Sequence, residues 1–309
     1  MFDHTRLAHT YSIVAFDAAA GQLGVAVQSH YFATGAAVPW LEAGAGAVAT
    51  QSFVDISYGP LGLALMKAGK PAEAALAGLL AADPQRDLRQ VAMVDIHGNV
   101  AVHTGARCVT FAGHRTGAGY SVQANLMLRS TVWDAMAEAY EQTPGDLAER
   151  MMVALEAAEA EGGDIRGRQS AALVVVNAAS SGRPWEDQRV NVRVDDHAEP
   201  LVELRRLLAV HRAFEELSYA QALLRGDGAG KVAAAIARFA QAPDLMPENP
   251  EALFHFACAL VNAGQVETAL PYFRRVYTAQ PVWRELVPRL AEAGLLPQEE
   301  AVLRRLVEL

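Results

Sequence analysis

The chain has 309 residues, with 26 Lys+Arg against 35 Asp+Glu and a formal net charge of −9. That acidic balance argues against a nucleic-acid-binding protein, which needs a basic footprint. Hydrophobic residues make up 52% and charged residues 20%, which excludes a disordered chain and leaves apolar material for at least one core. The length itself suggests two domains.

Residues 12–17 read as a short strand, and the segment around Gly21 as a hairpin loop into a returning strand at 23–29. Two further β segments are expected at 36–40 and 46–51. The period then changes to helical spacing at 61–67 and 72–82, broken by Gly69-Lys70-Pro71, with Pro71 suited to a first helical position. Strands at 90–95 and 99–104 follow, with Gly98-Asn99 marking a tight hairpin. Residues 132–140 and 147–160 are helical, the second with Asp146 available as a cap. The run 170–176 is apolar and β-branched, as expected of a buried strand, and 190–194 is a last strand. This order predicts an α+β fold. Hairpin-linked strands form largely antiparallel sheets, packed together with helices outside.

After Pro200 no strand is expected. Gly230 and Gly264, Ala235 and Ala269, Phe239 and Phe273, and Pro247 and Pro281 are each 34 residues apart. That is the tetratricopeptide period of two antiparallel helices per repeat. The small Ala235 and Ala269 allow close helix approach, and Phe239 and Phe273 fill the gap towards the next repeat. The segment with Trp283, Leu286, Leu290 and Gly294 reads as a degenerate unit capping the stack. A generic helical bundle with an accidental period is the alternative. The division expected is an N-terminal extension at 1–9, a domain at 10–212 and helical repeats at 213–309.

Cys108 and Cys258 are too few for a disulfide framework or a multi-Cys zinc site, and read as buried thiols of a reducing compartment. Residues 1–9 lack the apolar region of a signal peptide. Residues 18–41 lack Asp, Glu, Lys and Arg, but Gln22, Gln28, Ser29, His30 and Pro39 interrupt them as they would not interrupt a membrane helix. A cytoplasmic protein without membrane contact, nucleic-acid partner or cofactor is expected.

Three polar clusters lie in apolar surroundings: Thr10, Ser12, Gln28, Ser29 and His30; then Thr50-Gln51-Ser52; then Gly162-Gly163-Asp164 with Arg166, Arg168 and Gln169. The last suits a ligand loop as well as a solvated one. Arg166 and Arg168 suit a substrate carboxylate, or equally salt bridges to Asp195 or Asp196. Gln28, Ser29 and Gln51 end strands near one edge, as structural pins or as oxyanion donors. Asp195-Asp196-His197 has metal-ligand composition, but adjacent residues rarely converge on one centre, so no metal site is assigned. His30, His103 and His114 are suited to acid–base work by chemistry alone, and none is assigned a catalytic role.

Thr10-Tyr11-Ser12-Ile13-Val14-Ala15, Gly24-Val25-Ala26-Val27-Gln28-Ser29, Val38-Pro39-Trp40 and Gly46-Ala47-Val48-Ala49-Thr50-Gln51 occur in this order. They are followed by Tyr58-Gly59-Pro60, Arg89-Gln90-Val91, Thr104-Gly105, Ala112-Gly113-His114, Gly162-Gly163-Asp164, Arg166-Gly167-Arg168-Gln169-Ser170 and Arg193-Val194-Asp195-Asp196-His197. Over roughly residues 9–210 the set resembles the bacterial DUF1028 family, a domain of unknown function assigned to the N-terminal nucleophile (Ntn) hydrolase superfamily. The resemblance implies a four-layer αββα sandwich. It also implies a Thr, Ser or Cys at the mature N-terminus that attacks an amide carbonyl, with its own α-amino group as base.

Thr10 matches the family's residue after the initiator Met, with Ser12 the next hydroxyl on the same strand face. On this reading Thr10, Ser12 and Gln51 carry the catalysis, and Gln28, Ser29, Asn125, Asp164, Arg166, Arg168 and Gln169 bind substrate. The sequence departs from the pattern twice. Nine residues precede Thr10, which as an internal residue has no free amine, and Ala124 stands where the family usually has Gly. Two functions stay open: an amidohydrolase for a small amide or acylated metabolite, with Thr10 exposed by cleavage at His9-Thr10 or by a start further along than Met1, or a non-catalytic ligand-binding scaffold. The repeats suit a peptide partner, and a homo-oligomer is expected.

Overall fold

The computed structural model describes residues 6–8, 10–224, 229–239 and 250–309. The proposed junction His9-Thr10 and the repeat residue Pro247 therefore lie at or outside the limits of the described residues. The chain divides into two compact units, Met1–Leu207 and Leu208–Leu309.

In the first unit the strands are β1 (Arg6–Ala8), β2 (Thr10–Asp17), β3 (Gln22–Ser29), β4 (Pro39–Glu42), β5 (Gly46–Val54), β6 (Arg89–Asp95), β7 (Val100–Thr104), β8 (Gly113–Gly117), β9 (Tyr120–Ala124), β10 (Ser170–Asn177) and β11 (Gln188–Val194). One sheet runs β1-β5-β6-β7, with β4 on the same β5 edge as β1; the other runs β11-β10-β3-β2-β9-β8. Every pairing is antiparallel.

Strand alternation gives each sheet two working faces. Val14, Val25 and Val27 of one sheet meet Ala47, Ala49, Ala92 and Val94 of the other in one buried cluster. The outer face of the first sheet (Val48, Val91, Met93) is covered by α1 (Tyr58–Lys67) and α2 (Ala72–Ala82) through Tyr58, Leu63, Met66 and Leu76. On the outer face of the second sheet lie α3 (Val132–Gln142) and α4 (Leu147–Ala160). Helix α4 buries Leu147, Met151, Leu155 and Ala158 on one stripe, and Asp146 caps it by accepting from the Glu149 N–H at 2.8 Å. The short helix α5 (Pro184–Asp187) leads into β11.

Three departures from the sequence reading have local causes. The segment expected as a strand at 36–40 begins as a tight turn, because the N–H groups of Ala37 and Val38 both return to the Thr34 carbonyl. The strand starts only at Pro39, where a missing N–H costs no ladder bond. Pro71 caps α2 from outside rather than occupying its first turn. The strands β1, β8 and β9 were not expected. β8 is a half-exposed edge strand bounded by Gly113 and Gly117, and β9 is only five residues long, although Tyr120-Ser121-Val122-Gln123-Ala124 alternates apolar and polar.

The division between the units falls within α6 (Pro200–Leu224), ahead of the expected 212/213. The second unit continues with α7 (Ala229–Phe239), α8 (Pro250–Asn262), α9 (Val266–Ala279), α10 (Leu286–Glu292) and α11 (Glu300–Val307). No strand occurs there among the described residues. Ala235, Ala269, Phe239 and Phe273 are fully buried in one core. Phe239 stacks on Phe256 with ring centroids 3.7 Å apart, and Phe254 meets Phe273 edge-on at 5.6 Å. The paired glycines differ: Gly264 turns the chain after α8 at φ +74°, whereas Gly230 lies inside α7. Trp283, Leu286 and Leu290 pack against the same core.

Candidate functional site

Thr10 opens β2, a central strand of the second sheet, opposite Ser29 of β3. Thr10 and Ser12 share their face with Val14 and point between the sheets, where both are fully buried. There they meet amides from the facing sheet. Gln51 of β5 accepts the Ser12 hydroxyl on Oε1 at 2.6 Å. Its Nε2 donates to the Thr10 carbonyl at 3.2 Å and to Gln90 Oε1 at 2.7 Å. The Asn125 N–H donates to the same Thr10 carbonyl at 3.1 Å, and Asn125 Nδ2 donates to Gln90 Oε1 at 2.9 Å. Gln123 Nε2 donates to Ser12 Oγ at 2.6 Å.

A buried polar network of this kind is stable only when its members are paired, because each orphaned group costs about 1–3 kcal/mol. Ser12, Gln51, Gln90, Gln123 and Asn125 are all uncharged. Towards the surface Gln90 Nε2 donates to Thr104 Oγ1 at 2.9 Å, and Thr104 Oγ1 lies 2.8 Å from His114 Nδ1. Burial, reinforced by the nearby His103, holds the His114 pKa below the usual histidine value and so favours the neutral imidazole.

A row of hydroxyls extends the polar face sideways: Thr10 pairs with Ser29, and Ser29 with Ser170 of β10. Ser170 Oγ donates to the Tyr31 carbonyl and accepts from the Thr34 N–H.

The other predicted residues make none of the hydrogen bonds just described for this network of amides. Gln28 stands opposite Tyr11, so it faces the helices rather than the inter-sheet space. Its buried amide makes no hydrogen bond with the described residues. The fully buried Asp164 carboxylate takes Arg166 NH2 at 2.6 Å, Arg166 Nε at 3.1 Å and the His30 N–H at 3.3 Å. Arg168 NH1 reaches Glu199 at 2.8 Å and Glu159 at 3.5 Å, and Gln169 Nε2 reaches Asp196 at 3.0 Å. Neither arginine forms the salt bridge to Asp195 or Asp196 that was the alternative to substrate binding: Asp164 is closer along the loop to Arg166, and Arg193 takes Asp195 at 3.0 Å. Glu159 also accepts the Tyr11 hydroxyl at 2.7 Å. Arg168 thus belongs to the helix-covered side of the sheet, beside a cavity of about 450 Å³ lined with Glu156, Glu159, Glu199 and Leu201. Thr10 and Gln51 lie on the opposite side.

The structure therefore brings Thr10, Ser12, Gln51 and Asn125 together, with Ser29 beside Thr10 on the next strand. It turns the side chains of Gln28 and Arg168 to the helix-covered face and that of Gln169 to Asp196, whereas Asp164, paired with Arg166, lies at the same strand ends, beside His30 and Met127. Gln90 and Gln123 were missed by the sequence reading. Their signal was the one Gln51 shows, a glutamine inside an otherwise apolar strand. Among the described residues no group of three or more His, Cys, Asp or Glu is placed to hold a metal ion, and no helix is long and apolar enough to cross a membrane.

No curated protein matches the chain. Among solved structures it is similar to the crystal structure of protein SPO2555 from Silicibacter pomeroyi, of the DUF1028 family. The match has 30% sequence identity and a TM-score of 0.59, and covers 65% of this chain and 85% of that one. The family described as a family of unknown function, DUF1028, matches residues 10–204, from the opening of β2 into α6. The chain belongs to the DUF1028 family.

Proposed function

We propose that the first unit is an Ntn-type amidohydrolase domain for a small amide or acylated metabolite, with Thr10 as nucleophile once it becomes the first residue of the chain. The observation that carries this reading is the arrangement around Thr10. Its carbonyl and the Ser12 hydroxyl are held in a dry, uncharged network of amides between two antiparallel sheets. Such a centre offers N–H donors to a developing oxyanion. It has no carboxylate or lysine among its named members to serve as base. An α-amino group at Thr10, with an ordinary pKa of about 8, would fill that role without special tuning. The layered sandwich would then be the Ntn arrangement. The second unit would be a tetratricopeptide-like stack that presents the domain to a peptide partner in the cytoplasm.

The test compares the chain as given with one beginning at Thr10, against a panel of aminoacyl p-nitroanilides and N-acyl amides. Turnover by the shortened chain alone, abolished by Thr10→Ala, is the expected result. Equal inactivity of both across the panel, or undiminished turnover in Thr10→Ala, sinks the proposal.

One observation favours a second reading. The residues ahead of Thr10 are paired as β1 onto β5, with Ala8 opposite Ser52, which makes Thr10 part of a continuous fold. A non-catalytic ligand-binding domain would keep that pairing. Intact-mass analysis of the protein purified from its native host separates the two, since the amidohydrolase reading requires a species beginning at Thr10.

A further inference from the structure

We infer that Gln90 is a positioning residue that holds the donor ends of the Gln51 and Asn125 amides beside Thr10, an inference that rests on the Ntn-type reading of that site. Gln90 stands on β6 and spans the gap between the sheets. Its Nε2 faces the backbone carbonyls of Ala124 at 2.9 Å and Gly113 at 3.1 Å. A backbone carbonyl only accepts, so this end of the amide is fixed as the donor end. The opposite end is therefore the carbonyl oxygen, and it is met by Gln51 Nε2 at 2.7 Å and Asn125 Nδ2 at 2.9 Å.

That acceptor acts together with backbone carbonyls in setting how both neighbours lie: Gln51 Nε2 also donates to those of Thr10 at 3.2 Å and Gln123 at 3.3 Å, and Asn125 Nδ2 to that of Thr10 at 3.4 Å. Gln51 must turn its NH2 group towards Gln90 and the Thr10 carbonyl, which leaves its own Oε1 for the Ser12 hydroxyl. Asn125 must likewise direct its NH2 inward. Removing the Gln90 acceptor takes away the 2.7 Å hydrogen bond from Gln51 and the 2.9 Å one from Asn125, and leaves the Gln51 amide oriented by longer bonds alone. A flipped Gln51 would set an oxygen against the Thr10 carbonyl and an NH2 group against the Ser12 hydroxyl. Gln90 touches neither Thr10 nor Ser12; it acts by holding the donors that do.

The test uses Gln90→Met, which keeps the length of the side chain and removes both ends of the amide, and Gln90→Glu, which keeps an acceptor oxygen. The first readout, in the full chain, is hydrogen exchange of the side-chain NH2 protons of Gln51 and Asn125 at pH 6, followed by NMR. Gln90→Met should speed their exchange at least about tenfold, while Gln90→Glu, neutral in so buried a place, should stay within about threefold of the unsubstituted protein. Exchange unchanged in Gln90→Met, or lost equally in a folded Gln90→Glu, overturns the inference. If Gln90→Met does not fold, Gln90→Glu decides alone: retained protection supports the assignment and lost protection refutes it.

The second readout is turnover of p-nitroanilides by the chain beginning at Thr10. There Gln90→Met should lower kcat about 100-fold with KM within about threefold, the pattern of a misdirected transition-state donor. An unchanged kcat overturns the positioning role. Absence of turnover in the unsubstituted chain refutes the amidohydrolase reading instead, and leaves the exchange result to judge Gln90.

Discussion

Gln51 and Thr10 join the two sheets of the first unit, the Gln51 Nε2 donating to the Thr10 carbonyl at 3.2 Å. The same amide takes the Ser12 hydroxyl on its other end. Replacing Gln51 by Leu leaves the Ser12 hydroxyl without its acceptor in a fully buried place. The expected cost is about 2–3 kcal/mol, read as a lower urea midpoint. Gln51→Glu should be worse than Leu at neutral pH. Its carboxyl, neutral in the folded state by the same burial, must hold a proton that the unfolded chain gives up at pH 7, and its single O–H cannot serve the carbonyl oxygens of Thr10 and Gln123 and the Oε1 of Gln90, all of them acceptors. Equal stability of the two variants would contradict this account of the network.

Asp95 ties the end of β6 to the start of α2. Its carboxylate accepts from the Ala72 N–H at 3.1 Å, the His97 N–H at 2.9 Å, the Asn99 N–H at 3.1 Å and Asn99 Nδ2 at 2.9 Å. Burial opposes the charged form, but the donors of Asn99, His97 and Ala72 outweigh it and hold the pKa below the usual aspartate value. Asp95→Ala should therefore cost about 2–3 kcal/mol at pH 7. A depressed folded pKa contributes stability that is present above the unfolded value near 4 and is lost as the pH falls through the folded value. The gap between the parent and Asp95→Ala should narrow in acid. Urea titrations at pH 7 and pH 3 check both the size and the direction.

The layered arrangement of the first unit was legible because most of its strands show hydrophobic periodicity. β2, β3, β5 and β10 each carry apolar residues at the expected spacing, and Asp146 caps α4 as its position suggested. β9 was overlooked although Tyr120-Ser121-Val122-Gln123-Ala124 alternates apolar and polar; what its sequence did not tell is that the polar residues face the inter-sheet space, where Gln123 meets Ser12. The same holds for the site. Thr10, Ser12, Gln51 and Asn125 were named from sequence, but their meeting depends on which face each occupies. That face is set by cross-sheet packing rather than by local pattern. Gln28 shows the limit: it lies one position from Ser29 and so points to the opposite side of the sheet. Arg168 is turned away from Thr10 for a related reason. Carboxylates distant or overlooked in sequence, such as Glu159 and Glu199 for Arg168, were the partners that folding supplied.

Tyr11, next to Thr10 in sequence, faces the other way, and its hydroxyl donates to Glu159 at 2.7 Å. Tyr11→Phe should cost about 1.5 kcal/mol near pH 7, the usual scale of a hydrogen bond to a charged acceptor. Burial first, and then Glu159, push the Tyr11 pKa well above its ordinary value. A raised folded pKa means that stability is lost as the pH rises past the unfolded value of about 10, where only the unfolded chain ionises freely. The phenylalanine variant lacks that loss, so its deficit should shrink between pH 9 and pH 11. Denaturant midpoints across this range test it, and a constant deficit would show that Tyr11 does not titrate differently in the folded state.

In the second unit the stability centre is aromatic. Phe256 of α8 stacks on Phe239 of α7 at 3.7 Å with planes 7° apart, and Tyr272 of α9 meets both rings edge-on. Phe256 is fully buried, so truncation removes apolar contact with two other helices and leaves a cavity. Phe256→Ala should cost about 3–5 kcal/mol, whereas Phe256→Leu, which refills much of the volume, should cost less than half of that. Urea unfolding followed by far-UV circular dichroism reads both variants, since this unit is helical throughout its described elements. The ordering matters more than the size. If the leucine variant were as unstable as the alanine variant, the ring stacking itself would be supplying the energy. A small loss in both would mean that α7 and α8 are held by contacts away from this pair.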